Sequence, residues 1–337
     1  MCIPTYPEFA GISLDMRTEL HPLLRDLPDG VSEFTFAGLY LFRKEYSYEL
    51  ARSDDGTIIG RGKKNGRSFA ILPQGLPGHP KPDESFLSEL LGTYDYIRGV
   101  SSRILHEAAD SIRRQGLWAV ADRDNYDYLY DRSDMAELSG KRFHKKRNLI
   151  HNFARTYPEH EALIYQPEHT QAALEVLESW RKQVQIEGDY PEALEAIELQ
   201  QTLELTGNVA CVNGVPAAFS LGETIAGGSS YVIHIEKGDH ELKGIYQYIF
   251  RELVRSLPDG IRTINREQDV GDPGLRQAKM TYRPVDYTRK FQLWNRQPPG
   301  FPPLSVVLSP QQTEIAIPDD NQLEEALKQL QSDSKKT

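Results

Sequence analysis

Two cysteines in 337 residues, Cys2 and Cys211, are too few for a disulfide framework, and no Cys/His cluster has zinc-site spacing. Long apolar runs are missing too. None approaches the roughly 20 residues that cross a bilayer, and the first residues lack the basic-then-apolar order of a secretory signal. These absences point to a reducing cytoplasm and to a protein with no bound metal and no spanning segment. Positive charge is in deficit: 39 Lys and Arg stand against 49 Asp and Glu, a formal net charge of −10. That balance argues against a protein that coats nucleic acid, but it leaves room for one local basic patch. No internal repeat is visible by residue identity, and the length suits about two domains on the ~150-residue prior.

Against this acidic background one stretch stands out. Lys141, Arg142, Lys145, Lys146 and Arg147 place five cations in seven residues. Phe143, Leu149, Ile150 and Phe153 share a face at helical spacing, which predicts an amphipathic helix with Ser139 and Gly140 as lead-in and cap. The cations then ring the exposed flank, where the positive end of the helix adds to their field. Such a field suits a polyanion or a phosphate-bearing substrate. The alternative is a solvated helix face with acidic neighbours.

Around that segment the chain reads as mixed α/β. Leu20, Leu23, Leu24 and Leu27 form a short helix ending at Pro28-Asp29-Gly30, and Phe34 to Phe42 is a short apolar run that its period cannot type. Three strands lie between Tyr46 and Leu72, with turns at Ser53–Gly56 and Lys64–Gly66, the Asn-Gly being a hairpin cue. A Pro- and Gly-rich loop covers 73–82. Helix, strand and helix follow up to Arg114, and Trp118–Asp131 reads as a strand or crossover whose Tyr126, Tyr128 and Tyr130 suit packing more than base stacking. Beyond the basic helix come a strand near Ala162, helices over Thr170–Gln183 and Pro191–Leu205, and a hairpin turning at Asn213-Gly214. Ser230–Lys237 is a strand in which period two puts His234 and Glu236 on one side and Ile233 and Ile235 on the other. A helix opened by Gly244, a strand over Ile261–Glu267, a short helix over Leu275–Tyr282 and a last strand over Val285–Trp294 complete the fold, before a Pro-rich tail with one helix.

Strand, turn, Gly-opened helix, strand, short helix, strand is the order of the acetyltransferase (GNAT) superfold, in which two strands splay and a helix N-terminus meets the acyl donor's phosphates. The loop Glu241-Leu242-Lys243-Gly244-Ile245-Tyr246 stands where that superfold carries Arg/Gln-x-x-Gly-x-Gly/Ala. Fewer small residues allow less close approach to a pyrophosphate, so coenzyme A is not the favoured donor. Three motifs, Leu138-Ser139-Gly140-Lys141-Arg142-Phe143-His144-Lys145-Lys146-Arg147-Asn148, Val232–Lys237 with Gly244–Gln247, and Ile264–Gly271 with Gly274–Lys279, together resemble the phosphatidylglycerol lysyltransferase C-terminal domain family. The resemblance covers most of residues 15–295. It implies an α/β fold of two tandem GNAT-like domains, over 1–120 and 121–296, the second holding the active cleft, with 297–337 as a Pro-rich segment and helical tail. It also implies aminoacyl transfer from aminoacyl-tRNA, or another phosphate-bearing donor, to a small-molecule, lipid or peptide acceptor. The multi-span membrane portion of the lipid-modifying members is missing here, so a lipid acceptor would be met by peripheral contact.

Acyl transfer from an ester needs a base, an oxyanion donor and a holder for the carrier. Glu236 or Glu267 is the expected base, with His234 as partner. Arg266, Lys237 and Arg276 are candidates for an acceptor carboxylate or phosphate, together with Tyr246, Asn265 and Lys279. Lys141, His144, Lys145, Lys146, Arg147 and Asn148 are candidates for the tRNA acceptor end. Simpler roles stay open: His234 as a satisfied strand histidine, Asn265–Glu267 as a buried ion pair, Lys237 and Lys279 as surface charges. Two rival functions also stay open. One is a coenzyme A-dependent N-acyltransferase; the other is a non-enzymatic binder of RNA or an anionic ligand.

Overall fold

A computed structural model describes residues 3–77, 85–184, 188–312 and 314–334. The expected loop over 73–82 therefore lies outside the described residues from 78 onwards. Among the described residues the chain builds two sheets. The first contains β1 (Ala10–Gly11), β2 (Glu49–Arg52), β3 (Ile58–Lys64), β4 (Arg67–Ile71), β5 (Tyr96–Ser101) and β6 (Trp118–Ala121). The chain then crosses to the second sheet with β7 (Asp127–Asp131), β8 (His160–Ile164), β9 (Thr206–Val212), β10 (Val215–Ile225), β11 (Ser230–Gly238), β12 (Thr263–Asn265) and β13 (Asp286–Thr288). It returns to the first sheet as β14 (Lys290–Trp294) and β15 (Val306–Leu308). The strand orders are β1-β2-β3-β4-β5-β14-β6-β15 and β13-β7-β12-β11-β10-β9-β8.

The two sheets share one plan. In the first, β4 and β5 run parallel, joined by helix α3 (Ser85–Thr93) in place of a hairpin, and α4 (Ser102–Arg114) leads on to β6. In the second, β11 and β12 run parallel around α10 (Ile245–Ser256), and α11 (Pro273–Met280) leads on to β13. Each plan has a gap, and each gap is filled antiparallel by the other half of the chain. β14 slots between β5 and β6, and β7 between β12 and β13. The fold is thus two tandem GNAT-like units that exchange a strand. Trp118–Asp131, expected as a strand or crossover, crosses between the sheets with a strand on each side, and Val285–Trp294, expected as one strand, is divided between them as β13 and β14. The cut expected at residue 120/121 falls within β6, and residues 290–294 and 306–308 also belong to the first sheet.

Helices α1 (Arg17–Arg25), α2 (Phe36–Leu41), α7 (Thr170–Val184) and α8 (Tyr190–Glu198) pack into a core shared by both sheets, where Phe69 and Trp294 of the first belong with Phe219 and Ile235 of the second. The apolar run around Phe36–Leu41 is therefore a buried helix. On the far face of the second sheet lie α5 (Arg132–Glu137), α6 (His144–Thr156) and α10, packed through Phe143, Ile150, Phe153 and Phe250. Short α9 (Gln200–Leu203) precedes β9, and α12 (Asp320–Ser334) ends the described chain, burying Leu323 with α3 and α4. Tyr126, Tyr128 and Tyr130 are fully buried, as packing residues.

Where the two crossing segments meet, a charge cluster is sealed inside. Lys290 Nζ lies 2.6 Å from Asp127 Oδ1 and also holds Glu33. Asp127 accepts from the Ser32 hydroxyl at 2.8 Å, the Ser32 amide at 2.9 Å and Asn265 Nδ2 at 3.2 Å. Burial works against the Lys290 charge, but the two carboxylates outweigh it and raise its pKa. Removing one member of a buried pair leaves charge without compensation and costs about 3–5 kcal/mol. Lys290→Met should lose that much stability in denaturant unfolding at pH 8. With the cation gone, burial raises the carboxyl pKa values above their unfolded values, so the stability they contribute is kept at low pH and lost as pH rises. The deficit should therefore shrink at pH 5; a deficit that is equal at both pH values would contradict the ion-pair account.

Candidate active site

The second sheet opens where its parallel pair stops. β11 and β12 are in register only across Ser230–Thr263, Tyr231–Ile264 and Val232–Asn265. After Asn265 the chain stays beside β7: the Arg266 amide donates to Tyr128 O at 3.0 Å and the Tyr128 amide to Glu267 O at 3.2 Å. The following loop carries left-handed backbone at Glu267 (φ 54°) and Val270 (φ 48°). Its shape is held from α11. Lys279, buried, donates to the carbonyls of Arg266, Glu267 and Gln268. Burial, with the Arg266 cation beside it, pushes Lys279 down to about 8. Asp269 ties the loop's far end, accepting from Arg276 at 2.7 and 2.8 Å and from the Tyr128 hydroxyl at 2.5 Å. Lys279 and Arg276, expected to meet substrate, are thus committed to shaping the loop that carries Glu267.

β11 departs from plain alternation. In its pairing with β10, Leu221 faces Ile235 and Gly222 faces Ile233, so His234 is an extra residue without a partner, a β-bulge. Gly222 is required there, since a Cβ would sit 2.0 Å from Val232 O. The bulge shifts the strand's alternation: Ile233 joins the α10 core and Ile235 the core shared by both sheets. The expected pairing of His234 and Glu236 on one side fails for the same reason, and the two make separate clusters.

In the first cluster the buried His234 ring lies between two carboxylates. Its Nδ1 is 2.8 Å from Glu267 Oε1 and its Nε2 is 3.0 Å from Glu223 Oε1. Burial disfavours the imidazolium, but hydrogen bonds to Glu223 and then Glu267 outweigh it and raise the pKa to about 10. At neutral pH both ring nitrogens donate, and His234 is a cation that holds Glu267 in place. Glu223, 3% exposed, keeps Oε2 without a hydrogen bond, 3.6 Å from His21 Nδ1 on α1. Glu267 lines a small cavity of about 30 Å³ with Ser32, Glu33, Tyr46, Tyr48 and Gln268, where the two halves meet.

The second cluster centres on Arg266, whose Nη2 is 2.6 Å from Glu236 Oε1. Its guanidinium lies over Phe250 at 4.3 Å and Tyr282 at 5.2 Å. Lys146 Nζ reaches the same Tyr282 ring at 3.7 Å, and burial, with Arg266 beside it, pushes Lys146 down to about 8. Burial raises Glu236 against the pull of Arg266, and its Oε2 is buried without a hydrogen-bond partner.

Lys146 is the cation of the basic segment that turns inward. Lys141, His144, Lys145 and Asn148 are exposed. Arg147 donates to the carbonyls of Leu138 and Gly140, closing the turn before the helix. Ser139 and Gly140 do not cap α6: a 3₁₀ turn over Lys141–Phe143 leads into it with no side-chain cap. Lys237 is buried against Trp180 and bonded to Asp189 at 2.6 and 2.8 Å, rather than lying on the surface. Asn265 joins the Asp127 cluster and accepts from the Glu267 amide at 2.8 Å. The Tyr246 hydroxyl bridges the amide and carbonyl of Gly238 at 3.1 and 3.0 Å. Gly244 serves packing, since a Cβ there would meet Leu149 O at 2.8 Å. Among the described residues no group of three or more His, Cys, Asp or Glu is set to hold a metal ion. Glu223 was not singled out in the sequence, and Phe250 and Tyr282 were read only as helix residues; the one charged residue inside β10 was the available signal for Glu223.

Because the His234 pKa is raised from 6.5 to about 10 on folding, its stabilisation is complete below pH 6.5 and lost as pH rises to about 10. His234→Gln should therefore differ most from wild type in unfolding free energy at pH 6, with the gap closing by pH 10. A gap independent of pH would show that His234 is neutral when folded.

Several solved structures share this fold. A conserved protein of unknown function from Bacteroides thetaiotaomicron is 29% identical, with 85% of this chain and 98% of that one covered and a TM-score of 0.72. The C-terminal domain of a protein described as a lysylphosphatidylglycerol synthetase, from Agrobacterium fabrum, is 15% identical over 85% and 93% of the two chains, with a TM-score of 0.58. L-PGS from Bacillus licheniformis is 17% identical over 77% and 92%, with a TM-score of 0.50. At these last two identities the likeness is one of fold. No curated protein matches the sequence. Residues 24–293 match the description "Phosphatidylglycerol lysyltransferase, C-terminal", and the chain belongs to that family.

Proposed function

We propose that this chain transfers an aminoacyl group from aminoacyl-tRNA, or another phosphate-bearing donor, to an amine or hydroxyl of a small-molecule, lipid or peptide acceptor. The observation that carries this reading is Glu267, held beside the opening of the second sheet by a charged His234. In the reaction the acceptor nitrogen or oxygen attacks the ester carbonyl. The new bond to carbon forms, the bond to the ribose oxygen breaks, and Glu267 takes the nucleophile's proton and returns it to that leaving oxygen. His234 is already protonated, so it acts as a positioning residue and not as the base.

The Arg266 cluster supports an aminoacyl group over a plain acyl group. The spare buried Glu236 oxygen offers an acceptor for the donor's α-ammonium, and Lys146 and Arg266 bring positive charge to a developing oxyanion. The exposed Lys141 and Lys145 face solvent where a tRNA backbone would lie. No helix among the described residues is long and apolar enough to cross a membrane. On this reading a lipid acceptor would be met by peripheral contact, and use of charged tRNA would put the reaction in the cytoplasm. Coenzyme A is the less supported donor, because Tyr246 closes the Gly238 loop and Gly244 is filled by α6.

Glu267→Gln should lower the transfer rate about 10²–10⁴-fold with the fold intact by circular dichroism. Unchanged turnover would remove Glu267 as base. In filter binding, charged tRNA should bind in preference to uncharged tRNA. Lys141→Ala with Lys145→Ala, which spares the turn held by Arg147, should reduce the slope of log affinity against log salt by about 0.7 per lost contact. An unchanged slope would take the basic helix out of the site.

A further inference from the structure

The first sheet carries a cleft of its own, about 480 Å³ in volume and within the range of small-molecule sites. Its lining includes Lys64, Arg67, Arg98 and Arg123 against Asp122 and Asp124, a surplus of two positive charges on a protein of net charge −10. The acids are already occupied. Asp122 accepts from Asn125 and Gln292, both at 2.8 Å, and Asp124 pairs with Arg276 at 2.6 Å. Arg123 is held by Asp269 and Glu324.

Of the other three cations, two have no carboxylate among the described residues and the third shares one. Among the described residues Lys64 and Arg67 have no carboxylate partner; they rest over the rings of Tyr46 at 5.3 Å and Trp294 at 5.5 Å. Arg98, its side chain 4% exposed, is 3.7 Å from Glu33, which already holds Lys290. Arg98 donates from Nη2 to Asn125 at 3.1 Å, and its buried Nη1 has no acceptor. A guanidinium buried this deeply with an unused donor calls for a charged acceptor. Trp294 is stacked on Tyr96 at 4.9 Å on one side and covered by Arg67 on the other, so its ring faces are taken and the recognition left to the cleft is electrostatic.

We propose that this cleft binds a phosphate monoester, with Lys64, Arg67 and Arg98 holding the phosphate. A monoester carries about −1.5 to −2 at pH 7 and can engage several of these cations at once, whereas a diester or a carboxylate brings only one charge. Phe301 and Leu327, beyond the matched residues 24–293, complete the lining, so part of the wall comes from outside the family region. The site shares no lining residue with the Glu267 cavity, and the assignment stands whether or not the chain transfers acyl groups.

Calorimetry with glycerol 3-phosphate, and with glycerol as the uncharged control, tests it on the full chain. Wild type should bind the phosphate and not glycerol. Lys64→Ala with Arg67→Ala, a change at the rim, should weaken binding at least tenfold while leaving the melting temperature in place, and Arg98→Met should weaken binding more strongly, at a cost in stability. A second arm asks whether the phosphate belongs to a lipid. Co-sedimentation with phosphatidylcholine vesicles containing phosphatidic acid, lost in the double variant, would place the same monoester on a membrane headgroup. Binding of neither glycerol 3-phosphate nor these vesicles, or equal binding by wild type and the double variant, would overturn the proposal.

Discussion

The buried contact between Lys290 and Asp127 is what the rest of the structure depends on. It joins the two segments that cross between the sheets, at the first residues of β14 and β7. Around it gather Glu33 and Ser32 from the first half and Asn265 from the second, so one cluster sets the relation of both sheets. Asn265 also accepts from the Glu267 amide, and Glu33 lines the same small cavity as Glu267. The position of the candidate base thus follows from the way the crossing is pinned. A buried pair of this kind contributes little net stability compared with apolar packing, but it is costly to break, which favours one arrangement of the halves over others.

Much of the fold was readable because local rules agree with the final structure. The Asn-Gly turns, the amphipathic helices and the apolar strands lie where periodicity puts them. The motifs also led to the correct family. What escaped the reading is non-local. Nothing within Trp118–Asp131 says that its two halves join different sheets, because both halves are β-prone and the partner of each is far away in sequence. The His234 bulge is equally hidden. It depends on Gly222 in a neighbouring strand, and one extra residue shifts the facing of the side chains that follow.

The charged residues show the same limit. The family resemblance made Lys237, Lys279, Arg276 and Arg147 candidates to meet a ligand, yet each is taken by a nearby carboxylate or carbonyl. Cations that sequence treats alike are separated only by their surroundings. Lys146 turns onto Tyr282 and loses hydration, whereas Lys145, its neighbour, stays exposed. Glu223 was missed because its importance comes from a histidine on the adjacent strand, not from any motif of its own.

The exchange of strands also bears on how the protein is made. As the chain leaves the ribosome, β5 and β6 emerge early, but the strand that belongs between them is β14, close to the end of the matched family region. Until then the first sheet has two unsatisfied edges, and domain-by-domain folding during synthesis is not open to it. A nascent chain halted before residue 290 would lack the strand between β5 and β6 and would expose those sheet edges for chaperones to cover.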